Sequence, residues 1–125
     1  MNTKYIKINT SDKIYIFKSI GLMLKSGVSL LEAVESIQKQ SSKNVKIVLK
    51  DLLQSIKQGN TLSDTFKKYP NSFDSVSISI ISSAEKSGNL EQTLIDISND
   101  LTKDLDFNQK VKSALIYPSF VLLLS

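Results

Sequence analysis

Gly88-Asn89-Leu90-Glu91-Gln92 reads as the end of one helix and the beginning of the next. Two further stretches share its pattern, Gly27-Val28-Ser29-Leu30-Leu31-Glu32 and Gly59-Asn60-Thr61-Leu62-Ser63-Asp64. Glycine tolerates the left-handed backbone that closes a helix, and the Ser, Thr or Asn that follows can accept orphan amide protons of the next one. Ser29 with Glu32 and Asn89 with Gln92 have capping-box spacing, and Thr61 with Asp64 imitates it with a shorter acid. Three helix-glycine-helix corners follow.

Between the corners the apolar residues recur at helical spacing: Val34 and Ile37 after Leu30/Leu31; Val45, Leu49, Leu52 and Ile56; Leu62, Phe66 and Tyr69; Leu90, Leu94, Ile97, Leu101 and Leu105. A first helix over about Asp12–Ser26 carries Ile16, Ile20 and Met23, with Gly27 placed to end it. In Phe73–Ser83, Val76, Ile78 and Ile80 alternate with serines as a strand would. No convincing partner strand exists elsewhere, and Ile80/Ile81 and Ala84 continue from Val76 at helical spacing, so this segment is also predicted helical. Pro70 breaks the chain before it, because proline disfavours the α conformation in Tyr69. The fold class is therefore all-α, a six-helix bundle with a long last helix.

That last helix is expected to run from Leu90 to Tyr117, on the order of 40 Å, and on through Pro118 into the apolar run Val121-Leu122-Leu123-Leu124. From Val111 onward there is no acid and the only charge is Lys112; Tyr117 stands where the apolar run begins, as interfacial aromatics do. Roughly a dozen apolar residues are present where a span needs about 20, so the tail reads as the start of a membrane helix. The expected organisation is a short lead over 1–11, a helical bundle over 12–117 and the membrane-helix start over 118–125. The first residues lack the apolar stretch of a signal peptide, and Lys110 and Lys112 flank the tail, so the bundle is expected on the cytoplasmic side.

The 125 residues include no cysteine and no histidine, which removes disulfides, thiol nucleophiles, histidine bases and the usual transition-metal ligands. The net charge of +4 fits nucleic acid, an anionic membrane surface or an acidic protein equally well. Lys43, Lys46, Lys50 and Lys57 share a narrow arc of the third helix, opposite Leu49, Leu52 and Ile56. Asp96, Asp100 and Asp104 recur every fourth residue of the last helix, where like charges cost a few tenths of a kcal/mol per pair. Both stripes are candidate partner contacts, the acidic one meeting a basic stripe on another copy or on a partner. The ordinary alternative for each is a solvated helix face. Glu85 has the chemistry of a general base or a weak candidate oxygen ligand, but no second catalytic group accompanies it. A glutamate near a helix end more commonly bonds a neighbouring turn. Neither a metal site nor a cofactor site emerges.

Lys25-Ser26-Gly27-Val28-Ser29-Leu30-Leu31-Glu32-Ala33, Gly59-Asn60-Thr61-Leu62-Ser63, Ala84-Glu85-Lys86-Ser87-Gly88-Asn89-Leu90 and Lys112-Ser113-Ala114-Leu115-Ile116-Tyr117-Pro118, in this order, resemble the type II secretion system F domain. Its motif positions here are Gly27, Gly59, Glu85, Gly88, Leu90, Tyr117 and Pro118. That family, described as PilC or GspF, comprises inner-membrane platform proteins of type IV pili, type II secretion and competence pseudopili. The resemblance implies a non-enzymatic six-helix cytoplasmic module at the bacterial inner membrane. It also implies self-association and contact with an assembly ATPase, other platform proteins and pilins. The family often has a longer segment before the first helix and a glycine where Ala84 stands, and contacts from that segment are not carried over. The rival reading is a basic helical nucleic-acid-binding domain, which the pI of 9.2 and the lysine edge suggest. The lysines lack interleaved aromatics and no recognition helix is evident, so no nucleic acid is among the expected partners.

Overall fold

The computed structural model describes the backbone of residues 5–39 and 41–124, and side chains as far as Lys110. Tyr117, Pro118 and the membrane-helix start expected over 118–125 lie outside the residues described at side-chain level. Six α-helices follow in order: α1 Thr10–Lys25, α2 Leu30–Gln38, α3 Lys43–Lys57, α4 Leu62–Phe66, α5 Ser75–Ser87 and α6 Leu90–Leu124. No strand occurs among the described residues, so the alternating Val76-Ser77-Ile78-Ser79-Ile80 segment is helix.

Each helix packs on its neighbours in the chain, and α1 lies along α6 in the most extensive contact of all, closing the bundle into a ring. The three corners close alike. Gly27, Gly59 and Gly88 have φ of 91°, 86° and 76°. The amide after each glycine donates five residues back, Val28 to Met23, Asn60 to Ser55 and Asn89 to Ala84, at 2.9–3.0 Å. This closure satisfies helix-end carbonyls that the buried side of the turn would otherwise leave without donors.

Every helix feeds one core. Ile16, Phe17 and Ile20 come from α1, Val34 and Ile37 from α2, Val48, Leu49 and Leu52 from α3, Leu62 and Phe66 from α4, Ile81 from α5 and Leu94 from α6. Phe17, Phe66 and Phe73 form its aromatic centre, with Phe66 stacked on Phe73 at 4.3 Å and Phe17 edge-on to Phe66 at 5.8 Å. Gly21 sets the spacing of α1 and α6, since a Cβ there would lie 2.9 Å from Ile95 Cγ1 and 3.0 Å from the Glu91 carbonyl oxygen.

Four details differ from the sequence reading. Helix α1 begins at Thr10, because Asn9 accepts the Asp12 amide at 2.8 Å and caps it. The lead joins the core through Ile6 and Ile8, held by Ser72, whose hydroxyl accepts from the Ile8 amide and donates to the Ile6 carbonyl, each at 2.9 Å. The reciprocal capping box is made by Thr61 and Asp64. Gln92 instead donates to Asp96 at 2.9 Å and accepts from Lys25 at 3.4 Å. On α5, Ile78, Ile81 and Ala84 are buried while Val76 and Ile80 face solvent, so the apolar stripe turns its other edge inward.

Candidate functional site: the Glu85 corner and the charged faces

Helix α4 has only five residues, too few to persist without tertiary support. Glu85, in the last turn of α5, supplies that support. Its Oε2 accepts from the Leu62 amide at 2.8 Å, and its Oε1 accepts from the Ser63 amide at 3.2 Å and the Ser63 hydroxyl at 2.8 Å. Thr61 Oγ1 accepts the next amide, Asp64, at 3.2 Å, and Asp64 returns the bond by accepting from the Thr61 amide at 3.1 Å. The Thr61 and Ser63 hydroxyl oxygens lie 3.0 Å apart. Ser63 spends its one proton on Glu85, so Thr61 is the donor in that contact. The first three amides of α4 are thus satisfied, two of them by a carboxylate at the positive end of the helix dipole.

Three residues on, Gly88 turns the chain in the left-handed conformation and half-buried Leu90 packs against the core. Glu85, Gly88 and Leu90 therefore act as tie, turn and anchor, and lock α4, α5 and α6 together at one corner. The Glu85 oxygens are committed to these donors, an arrangement that suits a helix tie. Among the described residues no group of three His, Cys, Asp or Glu is placed to hold a metal ion.

The hydrogen bond from the Thr61 amide is the main cause that holds the Asp64 carboxyl below its usual range. Asp74, the cap of α5, is lowered by the Ser77 hydroxyl first, with the Ser77 amide and nearby Lys13 adding to it. A second tie, which the sequence reading missed, joins α3 to the turn after α4. The buried Tyr69 hydroxyl donates to Asp51 Oδ2 at 2.7 Å, and Lys68 Nζ lies 3.1 Å from Asp51 Oδ1. Burial, then the bond to Asp51, pushes the Tyr69 phenol above the usual tyrosine range. Asp51 is the one acid of α3, and nothing in its spacing marks it as the acceptor for a tyrosine beyond α4.

Lys43, Lys46, Lys50 and Lys57 are all exposed along α3, and Asp96, Asp100 and Asp104 are all exposed along α6. Helices α3 and α6 are not neighbours in the ring, so the two stripes do not meet within one molecule. Gly27 and Gly59 stand at the other two corners of the end that Gly88 occupies.

The ring of helices, tied by side-chain bonds to helix termini and extended by one long helix, defines a helical scaffold module. The chain belongs to the type II secretion system protein F family, whose model matches residues 16–125. It is 30% identical over 112 residues, 89% of its length, to a type II secretion system protein F of Vibrio cholerae. It is 25% identical over 120 residues to the type IV pilus assembly protein TapC of Aeromonas hydrophila, and 24% identical over 120 residues to the type IV pilus assembly protein PilC of Pseudomonas aeruginosa. The chain spans 28%, 29% and 32% of the length of these relatives.

Proposed function

We propose that this chain is the cytoplasmic bundle of an inner-membrane platform protein that helps assemble a type IV pilus or type II secretion pseudopilus. It does so without enzymatic activity, by passing movement of an assembly ATPase to the machinery that polymerises fibre subunits. The observation that carries this reading is α6, a single helix of 35 residues packed along α1 and continuing past the bundle toward the apolar tail. Family membership supports the platform role, and the named relatives come from both secretion and pilus systems. A helix about 50 Å long transmits tilt and torque along its axis.

The exposed stripes Lys43, Lys46, Lys50 and Lys57 on α3 and Asp96, Asp100 and Asp104 on α6 are the contact candidates for partners and for other copies. Reversing the three aspartates should weaken self-association in a salt-dependent way, and unchanged sedimentation at low salt would remove them from that role. The coupling itself is tested by inserting a flexible Gly/Ser segment between Phe107 and Lys110 in the native strain. Fibre assembly should be lost with the protein still present at the membrane; fibres at the normal level would end the proposal.

A further inference from the structure

Two sets of contacts define the ends of the bundle. Glu85 on Leu62 and Ser63, with Lys25 on Gln92, gathers the three glycine corners at one end. Ser72 on Ile6 and Ile8, with Asn44 donating to the Lys7 carbonyl at 3.3 Å, gathers the lead, the start of α3 and the turn before α5 at the other. The helices therefore alternate in direction and α6 runs antiparallel to α1. From the contact of Gly21 with Glu91 and Ile95, Thr10 lies about 17 Å and Phe107 about 18–24 Å along the shared axis, at 1.5 Å per residue. Phe107 thus stands level with the second end, the end from which α6 departs.

The three most exposed large apolar side chains among the described residues are all at that end: Tyr5 at 84%, Phe107 at 66% and Val76 at 65% exposure. The same end gathers positive charge. Lys7, Lys13, Lys39, Lys43 and Lys46 stand there with Asp12 and Asp74, and the Asp74 carboxylate is engaged in capping α5. Lys103 and Lys110 of α6 are offset by Asp104 and Asp106. The corner end has no such excess, with Lys25, Lys57 and Lys86 set against Glu32, Asp64 and Glu91.

We infer that this end of the bundle, with α6 tilted from the bilayer normal, rests on an anionic lipid surface, with Tyr5 and Val76 entering the headgroup layer inside a ring of lysines and Phe107 standing above it on α6. Aromatic and apolar groups flanked by lysine partition to the membrane interface, and anionic headgroups attract the lysines within a Debye length. The inference rests on the membrane-anchored reading above and adds to it, since α6 alone would leave the bundle free to rotate about that helix's axis. Lipid docking would fix the bundle against the bilayer around the departing helix. Of the α3 lysines it assigns Lys43 and Lys46 to headgroups and leaves Lys50 and Lys57 for protein partners.

The chain has no cysteine, so single substitutions Tyr5→Cys, Val76→Cys and, at the corner end, Lys57→Cys take an environment-sensitive fluorophore cleanly. The labelled 125-residue chain is mixed with phosphatidylethanolamine–phosphatidylglycerol vesicles and with phosphatidylcholine vesicles. Labels at positions 5 and 76 should shift to the blue with the anionic vesicles only, and the label at 57 should not. Joint reversal of Lys7, Lys13, Lys43 and Lys46 to Glu should weaken the shift roughly tenfold or more in lipid titration, and Lys57→Glu with Lys86→Glu should leave it intact. If the reversed chain loses its helical circular dichroism, Lys7→Gln with Lys43→Gln replaces it. A chain that sediments with both vesicle types while its 5 and 76 labels stay water-like overturns the docking and leaves the anchored tail standing. A chain that sediments with neither overturns the docking, and the anchored reading is then decided by whether the same chain extended to a span of about 20 apolar residues inserts into these vesicles.

Discussion

Replacing Glu85 by alanine removes the acceptor of two backbone amides and a hydroxyl at a half-buried helix end, so stability should fall by about 2 kcal/mol in urea unfolding. Glu85→Gln keeps an acceptor and should cost less, whereas a catalytic carboxylate would be equally disabled by both changes. Tyr69 gives a pH signature. Its folded-state pKa is raised, so its contribution is complete below the ordinary tyrosine value of about 10 and is lost as pH rises through the higher folded value. Tyr69→Phe should therefore lower stability at neutral pH by about 1 kcal/mol and flatten the alkaline decline. Asp64 and Asp74 act at the opposite limb. Their folded values are depressed, so their contribution is present above about pH 4 and is lost as acid is added. Thermal melts from about pH 5 to pH 3 should show a shallower decline in a chain carrying both Asp64→Asn and Asp74→Asn.

Between elements, the close approach of α1 and α6 is the contact most sensitive to one atom. Gly→Ala within a helix ordinarily gains about 0.5–1 kcal/mol. At Gly21 the added methyl meets the Glu91 carbonyl and Ile95, and overpacking of this kind costs about 1–3 kcal/mol. Gly21→Ala should therefore lower the melting temperature, and a rise would show that the helices separate freely. That contact was not legible in the sequence, because a helical glycine looks the same whether it faces solvent or a neighbour's backbone. The corners at Gly27, Gly59 and Gly88 were legible, since backbone conformation and capping chemistry are local. So was the helical nature of α5, although its inward face was not: isoleucines on both sides of a helix leave the choice to packing. The Glu85 tie was half legible. Its position near a helix end suggested a bond to a turn, but the identity of that turn depends on how α4 docks.

At the scale of the whole molecule, the core draws on all six helices and on the lead, so unfolding should be a single transition in which helix content and tyrosine environment change together. Ile8→Ala should reduce the stability of the entire bundle by about 2–4 kcal/mol, as expected of a residue inside the core. Circular dichroism and tyrosine fluorescence followed in one urea titration would check both outcomes, with separated midpoints counting against a unified core. The lead's role was hidden in the sequence because two isoleucines in a short segment have no period to read, and the Ser72 clamp joins residues more than sixty positions apart. The contact between α1 and α6 also governs the order in which the protein can be completed during translation. At roughly 5–20 residues per second, the roughly seventy residues separating Lys25 from Ile95 take about 4–14 s to emerge. Through that interval the nascent α1 exposes the surface meant for α6. The ribosome delivers its partner only at the end of that interval, which makes these seconds of synthesis the natural moment for a chaperone to be needed.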